Sequence, residues 1–284
     1  MVDFHTHSTL SDGHLAPAEL LAQAKERGIS VLALTDHDTV EGLPEARKAA
    51  EDAGIRFIPG IELNIKWTTG EFHLLGLGLG EISEELSDII GDLQAERKRR
   101  NRTIITKLSA AGFKVSMEEL EATVHQGLIG RPHIAEYLVS KNYVRTQQEA
   151  FDRYLAKDRP MYDEIEGALL DDAVSAITSS GGVPVTAHPL SLYTAWGRMG
   201  ELFAYFAAKG ILGIEAWHPA ARPVECERLE NLARKTGLIV TAGSDFHGGA
   251  TRNERVLGYT SGGVPIGDRF WKDELEPLLL RAGT

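Results

Sequence analysis

The 284-residue sequence is poor in cysteine and contains no long apolar run. Its single cysteine, Cys226, excludes a disulfide within the chain. No uninterrupted apolar run approaches the roughly 18–20 residues that a membrane-spanning helix needs. No cationic and then apolar leader precedes Phe4. These absences predict a soluble, cytoplasmic protein that makes no contact with a membrane.

Positive charge is also scarce. Lys and Arg number 30 against 41 Asp and Glu, which gives a formal net charge of −11. This balance argues against a protein that coats a nucleic-acid groove through general basicity, but it is compatible with a local basic pocket for a phosphorylated ligand. A hydrophobic content of 43% and a charged content of 25% are typical of a globular protein.

Short apolar runs rich in β-forming residues recur along the chain, and helix-like stretches separate them. Between the first two runs, Pro17 suits a first helical turn and Gly28 suits a helix end. This alternation predicts βα units and a largely parallel sheet. Seven candidate strands favour a barrel over an open sheet. They cover residues 1–5, 31–35, 56–63, 72–79, 183–187, 212–217 and 238–244.

One connection is far longer than the ~10–12 residues that a βαβ crossover needs. It joins Leu79 to Val183 and begins with a helical pattern over residues 83–111. Ser116 and Glu119 then form a capping-box signal, and further helical patterns follow near 132–141 and 146–156. The sequence therefore predicts a barrel made of residues 1–97 and 171–284. Residues 98–170 are predicted to form an inserted helical subdomain over one barrel face.

Side chains able to bind a metal lie in or just after nearly every predicted strand, and the carboxyl ends of parallel strands meet at one edge of a sheet. One such histidine alone is more often a core residue than a ligand, but the recurrence at successive strand ends favours a metal site. No thiolate is among them, which suits manganese, zinc or iron, and their number indicates two or three ions. They are His5, His7, Asp12, Asp36, His37, Asp38, Glu62, His73, His188, Glu215, Asp245 and His247.

Five motifs resemble those of the polymerase and histidinol phosphatase (PHP) family of metal-dependent phosphoesterases. They are HTHSTLSDG (5–13), TDHDT (35–39), PGIEL (59–63), AHP (187–189) and GSDFHG (243–248). The resemblance implies an α/β fold, a distorted seven-stranded (β/α) barrel of the PHP type. It also implies two or three divalent metals per chain, with manganese expected and zinc or iron as alternatives.

The resemblance further implies a ligand set for each ion. His5, His7, Glu62 and Asp245 would hold one metal, and Asp12, His37 and His247 a second. A third would share Glu62 and add His73 and His188. Asp36, Asp38 and Glu215 are left as structural residues or as residues that orient the ligands.

Phosphate-ester hydrolysis is the reaction that such a centre favours, because clustered metals lower the pKa of a bound water and offset charge on the attacking and leaving oxygens. Amide hydrolysis is the weaker alternative, since nothing in the sequence resembles a carboxylated lysine that binds substrate.

Substrate choice is expected to come from the insertion. In ERKRRNR (96–102), Arg97 and Arg100 share a helical face, and guanidinium groups bind phosphate well. A solvated basic face is the alternative. The RxxR pattern, GRPHIAEYLV (130–139), QQEAFDRYL (147–155), Tyr162 and AHP resemble the branch of nucleoside 3′,5′-bisphosphate 3′-phosphatases. Some members of that branch also degrade short RNA from the 5′ end. The resemblance implies a substrate site of Arg97, Arg100, Arg131, His133 and Asp12, with the arginines and His133 holding the 5′-phosphate.

The remaining histidines and two tyrosines are not assigned a catalytic role. His14 is expected to be exposed and His125 structural, while His218, Tyr162 and Tyr193 could contact substrate or simply pack. Two rival functions stay open: a histidinol-phosphatase-like or other small-molecule phosphomonoesterase, and an accessory module without activity. The substrate is expected to be a nucleotide or short oligoribonucleotide, and no stable protein partner is predicted.

Overall fold

Seven strands in chain order form the central sheet of the computed structural model, which describes residues 1–124, 127–248 and 255–282. The chain after the seventh strand returns to the first, where Thr6 and Phe246 form a parallel bridge and the Phe4 N–H donates to the Ala242 carbonyl at 3.3 Å. The sheet is therefore a nearly closed barrel. The strands are β1 (Val2–Asp3), β2 (Val31–Leu34), β3 (Arg56–Ile65), β4 (Phe72–Leu77), β5 (Val183–Thr186), β6 (Gly213–Trp217) and β7 (Ile239–Ala242).

The predicted seven-stranded (β/α) barrel is confirmed, but one strand departs from the expected parallel direction. β4 pairs antiparallel with both β3 and β5, because β3 and β4 are joined by a short turn and no helix crosses between them. A strand that runs the opposite way brings its amino end to the edge where its neighbours end. His73, the second residue of β4, therefore lies at the same barrel mouth as residues that follow the parallel strands.

Ten helices surround the barrel or extend from it in the described ranges. Those between parallel strands begin and end where the sequence predicts: Pro17 opens the first helix, and Gly54, in the left-handed conformation with φ 72°, ends the second. They are α1 (Pro17–Glu26), α2 (Leu43–Ala53), α3 (Glu84–Ala110), α4 (Met117–Thr123), α5 (Arg131–Ser140), α6 (Gln147–Ala150), α7 (Leu170–Ser179), α8 (Met199–Ala208), α9 (Pro223–Lys235) and α10 (Glu276–Ala282).

Shorter elements complete the described chain. A 3₁₀ turn over Pro189–Leu192 follows β5, and a second covers Ser261–Gly263. π-helical turns extend α6 over Phe151–Leu155 and precede α10 over Phe270–Leu275. A small two-stranded sheet pairs β8 (Tyr259–Thr260) with β9 (Val264–Pro265). None of the helices within the described ranges is long and apolar enough to cross a membrane.

The segment between β4 and β5 has a hydrophobic cluster of its own. Ile104 and Leu108 of α3 pack with Leu120, Ile134 and Leu138 there, whereas the earlier half of the same helix contributes Leu86 and Leu93 to the barrel core. α3 thus spans from the barrel into the predicted insertion as one continuous helix. Its observed bounds match the predicted 83–111 pattern, with the Ser83 side chain accepting from the Leu86 N–H at its start.

Candidate metal centre and adjoining cavities

Glu62 lies at the centre of a group of buried histidines at the barrel mouth. Its Oε2 atom is 3.3 Å from Nε2 of both His5 and His7 and 2.9 Å from Nδ1 of His37. Its Oε1 atom is 2.9 Å from Nδ1 of His73 and 3.0 Å from Nε2 of His188. The two carboxylate oxygens of one residue therefore face two sets of imidazole nitrogens, which is the arrangement that a carboxylate bridging two metals requires.

The pairing of β2 with β3 places His37 next to Glu62. A parallel bridge joins these two residues, and the Asp38 N–H donates to the Glu62 carbonyl at 3.0 Å. His73 and His188 meet in the same way, because the Ala187 N–H donates to the His73 carbonyl at 3.1 Å across β4 and β5. Backbone pairing at successive strand ends therefore assembles ligands that lie far apart in the sequence.

The structure brings together all nine residues that the resemblance implies as metal ligands. They form four overlapping groups in which each residue offers one potential ligand atom, and these atoms lie within 4.8 Å of one another. The groups are His5, His7 and Asp245; His7, Asp12, His37 and His247; His5, Glu62 and His188; and His37, Glu62 and His73.

The spacing of the nitrogen and oxygen atoms in this cluster suits coordination to shared metal ions better than hydrogen bonding among themselves. Metal–nitrogen and metal–oxygen bonds of about 2.1 Å hold neighbouring ligand atoms roughly 3.0–3.5 Å apart. The Nε2 atoms of His5 and His7 are 3.1 Å apart, and Asp245 Oδ1 is 3.2 Å from His7 Nε2. Oδ1 of Asp12, Nδ1 of His37 and Oε2 of Glu62 are buried, yet none makes a hydrogen bond of normal geometry with the described residues. Buried polar atoms of this kind are costly unless a ligand satisfies them.

Glu62 and His7 have charge states that suit metal binding, whereas Glu215 and Glu62 outweigh burial and raise the pKa of His5 to about 10. Burial opposes ionisation of Glu62, but the nearby His37, His5 and His73 outweigh it and hold the pKa of this carboxyl well below its usual range. Burial and the neighbouring His247 and His37 depress the pKa of His7 far below that of a free imidazole. An ionised carboxylate and a neutral imidazole are the forms that coordinate metals.

Glu215 orients two of these histidines. Its Oε1 atom is 2.9 Å from His5 Nδ1, and its Oε2 atom accepts from the His188 backbone N–H at 2.8 Å. A hydrogen bond to the second ring nitrogen fixes the tautomer and direction of a ligating histidine. Gly243 is needed beside this pair, because a Cβ atom there would lie 2.3 Å from His5 Cβ and 2.4 Å from Glu215 Oε1.

His218 contacts the cluster from the loop after β6. Its Nδ1 atom accepts from the Ala220 N–H at 3.1 Å, which leaves the proton on Nε2, 3.2 Å from Asp245 Oδ2. Because it is 2% exposed, it serves Asp245 rather than solvent.

Asp36 and Asp38 fix the segments around the cluster through hydrogen bonds. Asp36 accepts from the N–H and hydroxyl of Ser8 and from the hydroxyl of Ser11, which fixes the loop between His7 and Asp12. Asp38 accepts from the Asn64 N–H at 3.0 Å and from Nε of Arg97 at 2.5 Å. Asp38, the residue after His37, therefore links this strand end to the long helix α3.

Backbone strain is concentrated at the same strand ends. Asp38, His188 and Asp245 are non-glycine residues with φ values of 50°, 24° and 48°. Positive φ is unfavourable for residues with a Cβ, and such residues cluster at functional sites where the surrounding structure enforces them.

A cavity of about 790 Å³ extends from the metal centre to the insertion. Asp12, His37 and His73 line one end, and Arg97, Arg100 and Arg131 line the other. One ligand in this cavity could therefore contact the metal ligands and the arginines at the same time.

The basic run on α3 divides into an inner and an outer set. Arg97 and Arg100 are buried, whereas Lys98, Arg99 and Arg102 are exposed. Arg99 is bound to Glu96 and Asp163 at 2.8 Å. The i, i+3 spacing thus gives one buried basic pair on an otherwise solvated helix face.

Arg100 is a buried cation with little anionic compensation. Its guanidinium donates to the amide oxygen of Asn101 at 3.2 and 2.9 Å, and no carboxylate of the described chain lies within ion-pair distance. Burial and the nearby cations Arg97 and Arg131 lower the pKa of this guanidinium well below its usual value.

Arg131 and His133 both lie in the first turn of helix α5, but only Arg131 lines the cavity. The Arg131 guanidinium lines the cavity, donates to Glu71 Oε1 at 2.6 Å and lies 5.5 Å from the centre of the Tyr162 ring. His133 is not among the cavity's lining residues, and its Nδ1 accepts from the Gly130 N–H at 2.9 Å. His133 therefore caps α5, which points its amino end at the cavity.

Two further residues at the site, Glu71 and Arg255, were not indicated by any sequence pattern. Glu71 lines the cavity and pairs with Arg131. Burial opposes ionisation of Glu71, but the charge of Arg131 outweighs it and lowers the pKa of this carboxyl to about 2. Arg255 donates to the carbonyl and the carboxylate of Asp245. A lone glutamate before β4 and a lone arginine after β7 carry no motif, so only the fold reveals them. His14 is exposed as expected, and His125 lies outside the described residues.

Comparisons with known proteins agree with this geometry. Residues 3–171 match the model of the PHP domain family. The chain is 33% identical over 281 residues to a 3′,5′-nucleoside bisphosphate phosphatase of Chromobacterium violaceum, covering 99% of this chain and 98% of the relative. It is 34% identical to a 5′-3′ exoribonuclease of Haemophilus influenzae, over 86% of this chain and 89% of that protein.

A solved structure from Bifidobacterium adolescentis, described as a metal-dependent phosphoesterase, superimposes with a TM-score of 0.86 at 29% identity, covering 96% of this chain and 95% of that one. The barrel, the cluster of histidines and carboxylates and these relatives lead to one conclusion: the chain belongs to the PHP family and is a metal-dependent phosphoesterase.

Proposed function

We propose that this phosphoesterase removes the 3′-phosphate of nucleoside 3′,5′-bisphosphates, giving a nucleoside 5′-monophosphate and phosphate. The observation that carries the proposal is Arg100, a guanidinium that is 4% exposed, lies in a cavity wall and donates, among the described residues, only to an amide oxygen. Burying a cation without an anion is costly, so such a group indicates an anionic ligand.

The surroundings of Arg100 favour a phosphate as that anion. Arg97 and Arg131 line the same cavity, and the amino end of α5 adds the backbone N–H of Arg131. Guanidinium groups and helix amino ends both bind phosphate oxygens well. Glu71 pairs with Arg131, and Asp38 pairs with Arg97.

The phosphate anchor and the reaction centre are held at a fixed spacing. Asp38 ties Arg97 to the strand end that also carries His37, and the cavity is continuous between them. A ligand with two phosphates separated by a nucleoside can thus place its 5′-phosphate on the arginines and its 3′-phosphate at the metal centre. Positioning of this kind lowers a reaction barrier by holding the reacting groups together before the chemistry.

The nine clustered residues would hold two or three divalent ions, for which manganese is the expected identity, and such ions activate water and neutralise phosphate charge. The chain's own residues supply orientation: Glu215 aligns His5, His218 aligns Asp245, and Asp36 fixes the loop carrying Asp12. In this proposal residues 98–170 act as the inserted substrate-binding subdomain, while 1–97 and 171–284 form the catalytic barrel.

A second substrate, short 5′-phosphorylated RNA, is proposed for the same site. The relative named as a 5′-3′ exoribonuclease covers most of the chain, and the anchor would hold a terminal 5′-phosphate on RNA as it holds one on a mononucleotide. Hydrolysis of the same 3′ phosphoester bond would then release a nucleoside 5′-monophosphate.

A substrate panel tests the proposed function against its rivals. Protein loaded with Mn²⁺ is offered adenosine 3′,5′-bisphosphate, histidinol phosphate and a 5′-phosphorylated oligoribonucleotide, and released products are measured. We expect the bisphosphate to be cleaved with the highest kcat/KM. Histidinol phosphate should be a poor substrate, because it has no second phosphate for the three arginines to bind. Preference for histidinol phosphate would replace this proposal with its rival. Tight metal binding without any hydrolysis would favour the accessory module.

A further inference from the structure

A second cavity opens on the other flank of the metal centre. It encloses about 390 Å³, and Glu215, His218 and Asp245 at the ends of β6 and β7 line it. The larger cavity instead lies on the side of β2, β3 and β4. The two cavities meet at residues that line both, namely His37, Glu71, His73 and Tyr193. A substrate that reaches the metal centre from the arginines can therefore continue into the second cavity.

The wall of this second cavity is largely apolar away from the metal centre. Pro189 and Leu190 come from the 3₁₀ turn after β5, Ala220 and Ala221 from the loop after β6, and Leu229 from α9. These side chains offer no hydrogen bond to an inorganic phosphate. The volume falls in the range of about 300–1,000 Å³ that is usual for organic ligands. Size and lining therefore fit a ligand with an apolar face rather than a departing phosphate alone.

Tyr193 offers that ligand an aromatic surface. Its side chain is 76% exposed although it lines both cavities, and its backbone has a φ of 51°. The turn before it is held by the Ser191 hydroxyl, which donates to the Glu71 carbonyl at 2.8 Å. An exposed ring on a fixed turn beside a nucleotide site is suited to stack on a nucleobase.

Arg255 adds a positive charge to the same cavity. Its side chain is 17% exposed, and its guanidinium donates to the Asp245 carbonyl at 3.0 Å and to the carboxylate of that residue. A buried guanidinium beside the reaction centre attracts a phosphate that links the two cavities.

We propose that the second cavity binds the nucleotide on the 3′ side of the scissile phosphate. This inference rests on the proposed function, since it needs the 5′-phosphate anchored by the arginines. In the reaction, the oxygen of water bonds to phosphorus, the bond between phosphorus and O3′ of the first nucleotide breaks, and O3′ leaves with a proton as a hydroxyl group. The phosphate stays on the 5′ oxygen of the second nucleotide.

Cleavage of the bond between phosphorus and O3′ allows the chain to be degraded stepwise from its 5′ end. The first product is a nucleoside 5′-monophosphate, and the remaining chain again carries a 5′-phosphate that the arginines can hold. A 5′-phosphorylated dinucleotide is then the smallest substrate that fills both cavities, and adenosine 3′,5′-bisphosphate fills only the larger one.

The variant Ala220→Trp tests the subsite. Ala220 is exposed and lines the second cavity, so the larger side chain would occupy the space without disturbing the core. We expect kcat/KM for 5′-phosphorylated diadenylate to fall by at least about tenfold, comparable to a lost base-stacking contact. The value for adenosine 3′,5′-bisphosphate should stay within about twofold of wild type, which also shows that the variant is folded. Tyr193→Ala should lower the dinucleotide value by a similar factor.

Ala195→Trp is the matched control, because Ala195 is an exposed alanine near Tyr193 that lines neither cavity. It should leave both substrates unaffected. If Ala220→Trp lowers both substrates equally, or neither, the second nucleotide does not bind in this cavity and the inference is overturned while the phosphatase function stands. If wild type cleaves neither substrate, the proposed function itself fails.

Discussion

Replacing Glu62 by glutamine is expected to reduce hydrolysis of adenosine 3′,5′-bisphosphate by at least about a thousandfold, because Glu62 would contribute to more than one metal site. Both oxygens of Glu62 face the histidine cluster, at 2.9 to 3.3 Å from the nearest nitrogens. Glutamine keeps the shape but removes the charge and replaces one acceptor oxygen with an NH₂ group. Metal content, measured by inductively coupled plasma mass spectrometry, should fall together with activity.

Glu51→Gln is the control for this substitution, because Glu51 is exposed on α2 away from the cluster. It should retain the metal content and rate of wild type. The histidines around Glu62 would have no role as a metal centre if Glu62→Gln kept both its metal and its rate.

Replacing Arg100 by alanine should separate substrate binding from the metal chemistry. A charge-assisted hydrogen bond contributes about 1.5–3 kcal/mol, so we expect KM for adenosine 3′,5′-bisphosphate to rise roughly 10- to 100-fold. An aryl phosphate such as p-nitrophenyl phosphate has no second phosphate and should be hydrolysed at an unchanged rate. Steady-state kinetics on the two substrates provide the comparison.

Arg102→Ala provides a matched control two positions away on the same helix. Arg102 carries the same charge but is exposed and lines neither cavity. Its removal should leave KM for both substrates close to the wild-type values. Equal losses on both substrates for Arg100→Ala, or equal effects of the two arginine variants, would remove Arg100 from the phosphate anchor.

The barrel could be predicted from the sequence because each strand is a short buried run bounded by helix signals. Gly54 ends α2 and Ser83 begins α3 at the positions that capping rules indicate. The direction of β4 could not be predicted in the same way, because apolar periodicity is identical for parallel and antiparallel strands. Only the short turn after Ile65 distinguishes the hairpin from a crossover.

The cluster of potential metal ligands was also accessible to sequence reasoning, for a physical reason. Its members sit at strand ends, and His5 and His7 share one face of an extended segment. Residues that support or border the site were harder to assign, because their roles depend on distant partners. Arg255 contacts Asp245, and Glu71 contacts Arg131 60 positions away. The motif around His133 likewise did not indicate that its Nδ1 accepts from the Gly130 N–H at the start of α5.

Phosphorus NMR of the hydrolysis products determines the orientation in which the nucleotide binds. If the arginines at one end of the cavity hold the 5′-phosphate, that phosphate lies away from the metal ligands at the other end. With adenosine 3′,5′-bisphosphate as substrate, we therefore expect signals of adenosine 5′-monophosphate and inorganic phosphate from the first turnover onward. Accumulation of adenosine 3′-monophosphate would show that the 5′-phosphate is the one removed and would overturn the proposed function.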